Sequence, residues 1–177
     1  VTGVQTCALP ISIDIDGVGG HASQPEHCRD PVLAAAAITV ALQQIVSRRS
    51  TPQDAAVVSV TALEADSIDT VIPARAAVRG SIRATSLAAR RTLEEAITVV
   101  AEATARAHGV SATVSHRPRY GPTVNTAGEA ARFRAALADE LGSGWDDAGV
   151  AVPIMASEDF SYYLERVPGA FALIGAG

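Results

Sequence analysis

Four stretches of the chain have the patterns that are typical of strands, which are alternation of apolar and polar residues with a period of two or enrichment in β-branched residues. These stretches are residues 12–16 (SIDID), 55–65 (AAVVSVTALEA), 74–85 (ARAAVRGSIRAT) and 110–116 (VSATVSH). The third is the most regular. Its alternation predicts an apolar face of Ala76, Val78, Gly80 and Ile82, and a basic face of Arg75, Arg79 and Arg83.

Apolar residues recur at helical spacing in two further stretches. Asp30 and Pro31 suit the N-cap and first position of a helix that extends to about residue 47. Ser86 can cap a second helix, which His108 and Gly109 can end. The predicted apolar faces are Val32, Leu33, Ala36, Ala37, Val40 and Ile45 for the first helix, and Leu93, Ala96, Ile97 and Val100 for the second.

The resulting element order is strand, helix, strand, strand, helix, strand. This is the ferredoxin-like βαββαβ pattern, so the predicted fold class is α+β. We expect two helices to cover one face of the sheet, which leaves the other face or an edge for a partner.

The elements predicted after residue 120 cannot enclose a core alone, so they indicate a partial α/β segment of another domain. A helix is predicted at about 127–141, with Phe133, Leu137 and Leu141 as its apolar residues. Ser157 is expected to cap a short helix with Glu158 and Asp159 in its first turn. Residues 170–174 (AFALI) are expected to form a buried strand.

Composition narrows the class of protein. Hydrophobic residues make up 48% of the chain and charged residues 19%, which is enough apolar material for a core. The net charge of −5 argues against electrostatic attraction to nucleic acid or to acidic membranes. No apolar run approaches the ~20 residues of a membrane helix, and no signal peptide is recognisable. We therefore expect a cytoplasmic protein with neither nucleic-acid nor membrane partners.

The first eleven residues, VTGVQTCALPI, correspond codon by codon to an oligonucleotide adapter of sequencing libraries. We interpret residues 1–11 as non-native and expect the gene fragment to begin inside a longer reading frame. The alternative is an ordinary N-terminal strand. Without Cys7, the chain keeps Cys28 alone, and no disulfide is expected.

Candidate chemistry concentrates in the segment GVGGHASQPEHCRDP, residues 17–31. Its histidines, cysteine and glutamate lack a recognised metal-ligand spacing, so no metal site is predicted there. A lone loop histidine such as His21 is more often a surface residue. The arginine face allows two interpretations, a solvated sheet surface or a carboxylate-binding surface.

Six segments resemble, in order, the M20 metallopeptidase clan, and within it the amidohydrolases that cleave N-acyl amino acids, such as hippurate and auxin-conjugate hydrolases. They are GGHASQPEHCRDPVLAAA, VVSV, VIPARAAVRGSIRA, YGPTVN, SEDFSYYLERVPGAF and LIGAG. The resemblance runs from about residue 12 to the end of the chain. It implies a catalytic domain with two divalent metal ions (zinc, manganese or cobalt) and an inserted ferredoxin-like domain that serves as lid and homodimerisation module.

The resemblance also implies a division of the chain. Residues 12–120 correspond to the lid, and residues 121–177 to a C-terminal fragment of the catalytic domain. The family's metal ligands fall outside residues 12–177, so we expect no metal-binding residues in this chain and no activity from it alone.

Three site residues follow from the resemblance. His21, in the GGH motif, matches the histidine that stabilises the oxyanion in the neighbouring subunit's active site. Arg83 matches an arginine that contacts the substrate carboxylate. Thr70 stands where many relatives have an asparagine that holds substrate across the dimer, and threonine lacks the amide donor. Many relatives have a histidine directly after the proline, whereas here Glu26 precedes His27, whose role stays open.

Two other hypotheses remain. The chain could be an autonomous ferredoxin-like module that dimerises and binds a small carboxylate without catalysis, or a purely structural dimerisation element. The leading hypothesis is a fragment of an amidohydrolase that acts on small N-acyl amino acids.

Overall fold

A four-stranded antiparallel sheet organises the chain in a computed structural model that describes residues 4–51, 53–142, 145 and 154–173. The strands are β1 (Val4–Gln5), β2 (Cys7–Asp16), β3 (Gly20–His21), β4 (Ala56–Glu64), β5 (Val71–Ile72), β6 (Arg75–Ala84), β7 (Ser111–His116) and β8 (Thr123–Val124). The helices are α1 (Pro31–Arg49), α2 (Leu87–Ala107), α3 (Ala127–Leu141) and α4 (Ser161–Leu164).

The sheet has the strand order β4-β6-β2-β7, and α1 and α2 both lie on one of its faces. Inward-facing residues of β2 and β6, such as Ile13, Val78 and Ile82, are fully buried against the helices. This arrangement confirms the predicted ferredoxin-like α+β fold and the predicted apolar face of β6. Burying aliphatic side chains on one face of the sheet contributes most of the stability of such a domain.

The ends of α1 and α2 lie at the capping residues that the sequence predicts. The Asp30 side chain accepts hydrogen bonds from the backbone N–H groups of Val32 and Leu33, and Pro31 is the first residue of α1. Ser86 accepts a bond from the Ala89 N–H at the start of α2. Gly109, with φ of 71°, follows the C-cap of α2 in the left-handed conformation that glycine tolerates best.

The predicted apolar face of α1 is wrong except at Ile45. The buried residues are Pro31, Ala34, Ala35, Ile38, Leu42 and Ile45, whereas Val40 is 73% exposed. The reason is that α1 is apolar on almost every side, so periodicity alone does not select the inner face. The sheet contacts the side that carries Ala34 and Ala35, whose small side chains permit close approach.

α1 is also the one helix among the described residues that is long and apolar enough, by length and composition alone, to cross a membrane. This corrects the expectation that no apolar run reaches that length. Ile38, Leu42 and Ile45 are fully buried against the sheet, and a core helix has the same composition.

β2 begins at Cys7, five residues before the predicted start of this strand. Cys7, Leu9 and Ile11 continue the inward-facing series of Ile13 and Ile15. Pro10 fits because its carbonyl accepts from Arg117 N–H on the β7 side, where pairing with β7 ends at Ile11. An extended residue directs both backbone groups to the same side, so the absent Pro10 N–H costs no bond to β6, which pairs on the other side of the strand.

The C-terminal segment, residues 117–173 as described, forms α3 at the predicted bounds but departs from two other predictions. Ser157 is not a helix cap, since α4 begins only at Ser161 and has Phe160 at its N-cap. Residues 170–173 form no strand, and Ile174 lies outside the described residues. Both predictions assumed local signals, whereas contacts with distant segments determine these positions.

Candidate functional site

The β2–β6 pair continues beyond the main sheet as a short hairpin-like tip made of β3 and β5. His21 lies opposite Val71 in this pairing, and the Ala22 N–H donates to the Thr70 carbonyl at 2.9 Å. The tip therefore places His21 beside Thr70, two of the three site residues suggested by the sequence. Both residues are exposed.

The two glycines before His21 permit this close pairing. A Cβ at Gly19 would lie 2.6 Å from the Ile72 carbonyl oxygen, and one at Gly20 would lie 2.8 Å from the Cys28 sulfur. Because real Cβ atoms do not approach other atoms so closely, side chains at these positions would displace β5 or the turn that carries Cys28.

The His21 ring is held from one side by Ser23. The Ser23 backbone N–H donates to His21 Nδ1 at 3.2 Å, and the Ser23 hydroxyl lies 2.7 Å from the same nitrogen. Among the hydrogen bonds of the described residues, none involves His21 Nε2. This nitrogen is therefore available to a ligand.

The other candidates near His21 do not assemble into a metal centre. His27 pairs with Glu26 at 3.7 Å on the surface, and Cys28 is buried with its thiol 3.7 Å from the Gln24 carbonyl. Within the described ranges, no group of three or more His, Cys, Asp or Glu side chains could hold a metal ion. These residues do not fit a resident metal, so no chemical step is assigned to a metal here.

The three arginines on the outer face of β6 differ in their partners. Arg75 pairs with Asp16 at 3.0 Å, while Arg79 pairs with Asp14 at 2.9 Å and Glu64 at 3.3 Å. Carboxylates of the same face thus neutralise these two guanidinium groups. This agrees with their interpretation as part of a solvated sheet surface.

Arg83 has no carboxylate within ion-pair distance among the residues that the structure describes. Its Nη1 donates instead to the Ser157 hydroxyl at 3.0 Å, and the side chain is half-buried beneath the C-terminal segment. A neutral partner leaves the guanidinium charge uncompensated, so Arg83 can still bind a carboxylate in the bidentate geometry that arginine favours.

The two ends of the β2–β6 pair therefore carry different parts of the candidate site. His21 lies beyond the Arg75 end of β6, and Arg83 lies eight residues further along that strand, which corresponds to about 26 Å at ~3.3 Å per residue. This span exceeds the length of an N-acyl amino acid. The structure brings His21 and Thr70 together, and it separates both from Arg83.

Sequence reasoning missed two residues that contact the candidates. Ser23 has a local signal, because a serine two residues after a polar side chain often bonds back to it in a turn. Ser157 has no local signal in the sequence, because its contact with Arg83 joins residues that are 74 positions apart.

Comparisons with known proteins identify the family. Residues 8–109 match the family model described as the peptidase dimerisation domain. The IAA-amino acid hydrolase ILR1-like 2 of Arabidopsis thaliana is 40% identical over 166 residues, which cover 91% of this chain and 37% of that protein. The hippurate hydrolase of Campylobacter jejuni is 36% identical over 163 residues, 92% of this chain and 42% of that protein.

A solved structure agrees with the sequence relatives. The YXEP protein of Bacillus subtilis, described as a dinuclear metal binding peptidase of the M20 family, superposes with a TM-score of 0.68 at 27% identity, covering 93% of this chain and 39% of that one. The chain spans about two fifths of the length of these relatives. It belongs to the M20 peptidase dimerisation domain family.

Proposed function

We propose that this chain is the lid and dimerisation part, with a portion of the catalytic domain, of an amidohydrolase that cleaves the amide bond of N-acyl amino acids or related conjugates. The similarity to hydrolases covers about nine tenths of the chain and so continues beyond the lid. This extent favours the hydrolase over an autonomous carboxylate-binding module.

The separation of His21 from Arg83 carries the proposal. Since one small substrate cannot contact both ends of the same β2–β6 pair, a complete site takes His21 and Thr70 from one subunit and Arg83 from the other. In this arrangement Arg83 binds the substrate carboxylate. The imidazole N–H of His21 donates to the oxygen that becomes negative when the amide carbonyl is attacked, which is where a preorganised donor lowers the barrier most.

The intact protein would bind two divalent metal ions, with zinc, manganese and cobalt as candidates, through residues that lie outside this chain. The metals would supply an activated water. For the 177-residue chain alone, we expect no hydrolysis of N-acyl amino acids after any of the three metals is added. Metal-dependent turnover by this chain would contradict the assignment of the metal ligands to other parts of the protein.

Mixed dimers of the full-length enzyme test the shared site. His21→Ala and Arg83→Ala homodimers should each lose activity, by about 10²- to 10³-fold for removal of the oxyanion donor. In a heterodimer of the two variants, one of the two sites keeps both residues. A statistical mixture of subunits should therefore recover about one quarter of the wild-type activity.

The same mixture of variants would behave differently if the active site were not shared between subunits. If each subunit used its own His21 and Arg83, no site in any mixed dimer would be intact, and mixing would restore nothing. Full activity of the His21→Ala homodimer would instead support a purely structural role for the tip.

We also propose that the homodimer forms along β4 and α1. β4 is an edge strand of the sheet, and α1 lies over the same side of the domain with Val40 exposed. An unpaired strand edge beside exposed apolar side chains is a typical association surface. Val40→Asp should shift the chain toward monomer in sedimentation velocity.

The matched control is Val99→Asp, which places the same charge on α2 at a residue that is 57% exposed. It should leave the association unchanged. Equal effects of the two substitutions, or a wild-type chain that sediments as monomer at high concentration, would contradict this interface.

A further inference from the structure

We propose that Ser23 is a positioning residue that fixes the neutral His21 ring in the tautomer that carries its proton on Nε2. The mechanistic value of this inference rests on the proposed function, in which His21 donates to an oxyanion. The tautomer itself is a property of this chain.

The backbone geometry determines which ring nitrogen accepts. The Ser23 N–H lies 3.2 Å from Nδ1 and can only donate, so Nδ1 of the neutral ring must present its lone pair. In that tautomer the Ser23 hydroxyl, 2.7 Å from the same nitrogen, is a second donor that shares the single Nδ1 lone pair. A proton on Nδ1 would point at the Ser23 N–H, which would break the backbone bond.

The proton of the neutral ring therefore lies on Nε2, the nitrogen with no hydrogen-bond partner among the described residues. This is the form that can donate to a negatively charged oxygen. In the other tautomer Nε2 would present a lone pair to the oxyanion and repel it. Ser23 thus determines whether a neutral His21 can act as a donor.

Nuclear magnetic resonance of this chain measures the tautomer without any need for activity. The ¹⁵N chemical shifts of the two ring nitrogens distinguish the protonated from the unprotonated atom, and the four histidines of the chain allow assignment by a His21→Gln variant. At about pH 8.5, where an ordinary histidine is neutral, we expect the Nε2–H form to dominate for His21.

Variants at Ser23 separate positioning from simple folding. Ser23→Ala removes the hydroxyl and keeps the backbone donor, so the ratio of Nε2–H to Nδ1–H should fall by about two- to tenfold, the range of one hydrogen bond. Ser23→Thr keeps a hydroxyl and should restore the ratio. Ser47→Ala, which removes a serine hydroxyl on α1, should leave the His21 shifts unchanged.

Two results would overturn the inference, namely a predominant Nδ1–H form in the wild-type chain and an unchanged ratio in Ser23→Ala. Kinetics of the full-length enzyme separate this from the proposed function. Because kcat follows the fraction of His21 in the Nε2–H form, Ser23→Ala should lower kcat in proportion to that fraction, and so by less than the ratio falls, with little change in KM. If His21→Ala kept full activity while the tautomer ratio responded to Ser23, the oxyanion role would fail and the positioning would stand.

Discussion

The ferredoxin-like domain and the C-terminal segment of this chain reach their folds in different ways. Almost every buried apolar residue of the described chain lies in the domain, and Ala130 alone lies in the segment. Larger apolar side chains of the segment, such as Phe133, Leu141 and Tyr163, are exposed. The domain therefore has its own core, whereas the segment has apolar surface that finds little cover within the described residues.

Polar contacts, together with aromatic contacts of Phe160 with Tyr163 and Phe171, hold the C-terminal segment together. The Asn125 side chain bonds twice to the backbone of Phe171, at 2.9 and 2.8 Å, and the Thr126 N–H donates to the Gly169 carbonyl at 2.9 Å. Among the described residues, the bonds that join the segment to the rest of the chain include those from Thr6 to Ala156 and from Arg83 to Ser157, and the pairing of β1 with β8. Net contributions of such bonds are about 1 kcal/mol each. We infer that the segment opens more readily than the domain.

The largest contrast should come from the same substitution in the two regions. Leu9→Ala removes a fully buried side chain from the central strand and should cost about 2–5 kcal/mol of unfolding free energy. Leu141→Ala removes a side chain that is 65% exposed in α3 and should cost less than about 1 kcal/mol. Urea denaturation followed by circular dichroism measures both.

The Leu9 result also tests the N-terminal residues. An adapter-derived segment has no evolved reason to fit the core, yet the alternation of Cys7, Leu9 and Ile11 continues that of β2. A negligible effect of Leu9→Ala would mean that these residues do not belong to the core in solution.

Helix caps offer a smaller test of the same contrast. Asp30→Ala removes two bonds to the first turn of α1 and should cost about 1 kcal/mol. Thr126→Ala should cost less, because the Thr126 side chain makes no cap bond to α3 and accepts only one long, exposed bond, from the Gly169 N–H at 3.3 Å. Equal losses of unfolding free energy would show that the two helices depend similarly on their N-termini.

The predictability of the fold from sequence follows the same division. Strand alternation, the caps at Asp30 and Ser86, and Gly109 are local signals, and they placed the elements of the domain correctly except for the start of β2. The sequence did not predict the inner face of α1, because Val40 and Ile38 are equally apolar. Only contact with the sheet distinguishes the buried residue from the exposed one. In the C-terminal segment, where no core selects a face or an element, the predicted cap at Ser157 was wrong, and the strand predicted at 170–174 does not form over its described residues, 170–173.

The residues of the candidate site could be predicted from the sequence, but their positions relative to one another could not. The sequence indicated His21, Thr70 and Arg83, and their roles in catalysis stay predictions. The proximity of His21 to Thr70 depends on the pairing of β3 with β5, two strands of two residues each, which are too short to show a pattern. The uncompensated charge of Arg83 depends on which acids occupy the neighbouring strands, and only the register of the sheet decides this.

The smallest predicted effect on the unfolding free energy comes from His116. This half-buried residue lies on β7, and its Nε2 is 3.3 Å from the Thr98 hydroxyl. Burial lowers the pKa of His116 below its ordinary value of 6.5, although the carboxylate of Glu94 opposes the shift. Between the lowered pKa and the ordinary one, His116 is therefore protonated in the unfolded chain but not in the folded domain. Below about pH 6.5 the unfolded state binds more protons, so the unfolding free energy should fall as pH decreases toward the lowered pKa and should lose no more below it.

His116→Gln should remove this part of the pH dependence and leave the stability at pH 7.5 nearly unchanged, as measured by urea denaturation between about pH 7.5 and 5. His27→Gln is the control, because it removes a ring that is 75% exposed and belongs to no core contact. The Leu141→Ala background extends the test to the two regions. The slope of unfolding free energy against pH depends only on the protons that His116 binds in the unfolded and folded states, so weakening α3 should leave it intact. A changed slope in the Leu141→Ala background would mean that α3 alters the surroundings of His116.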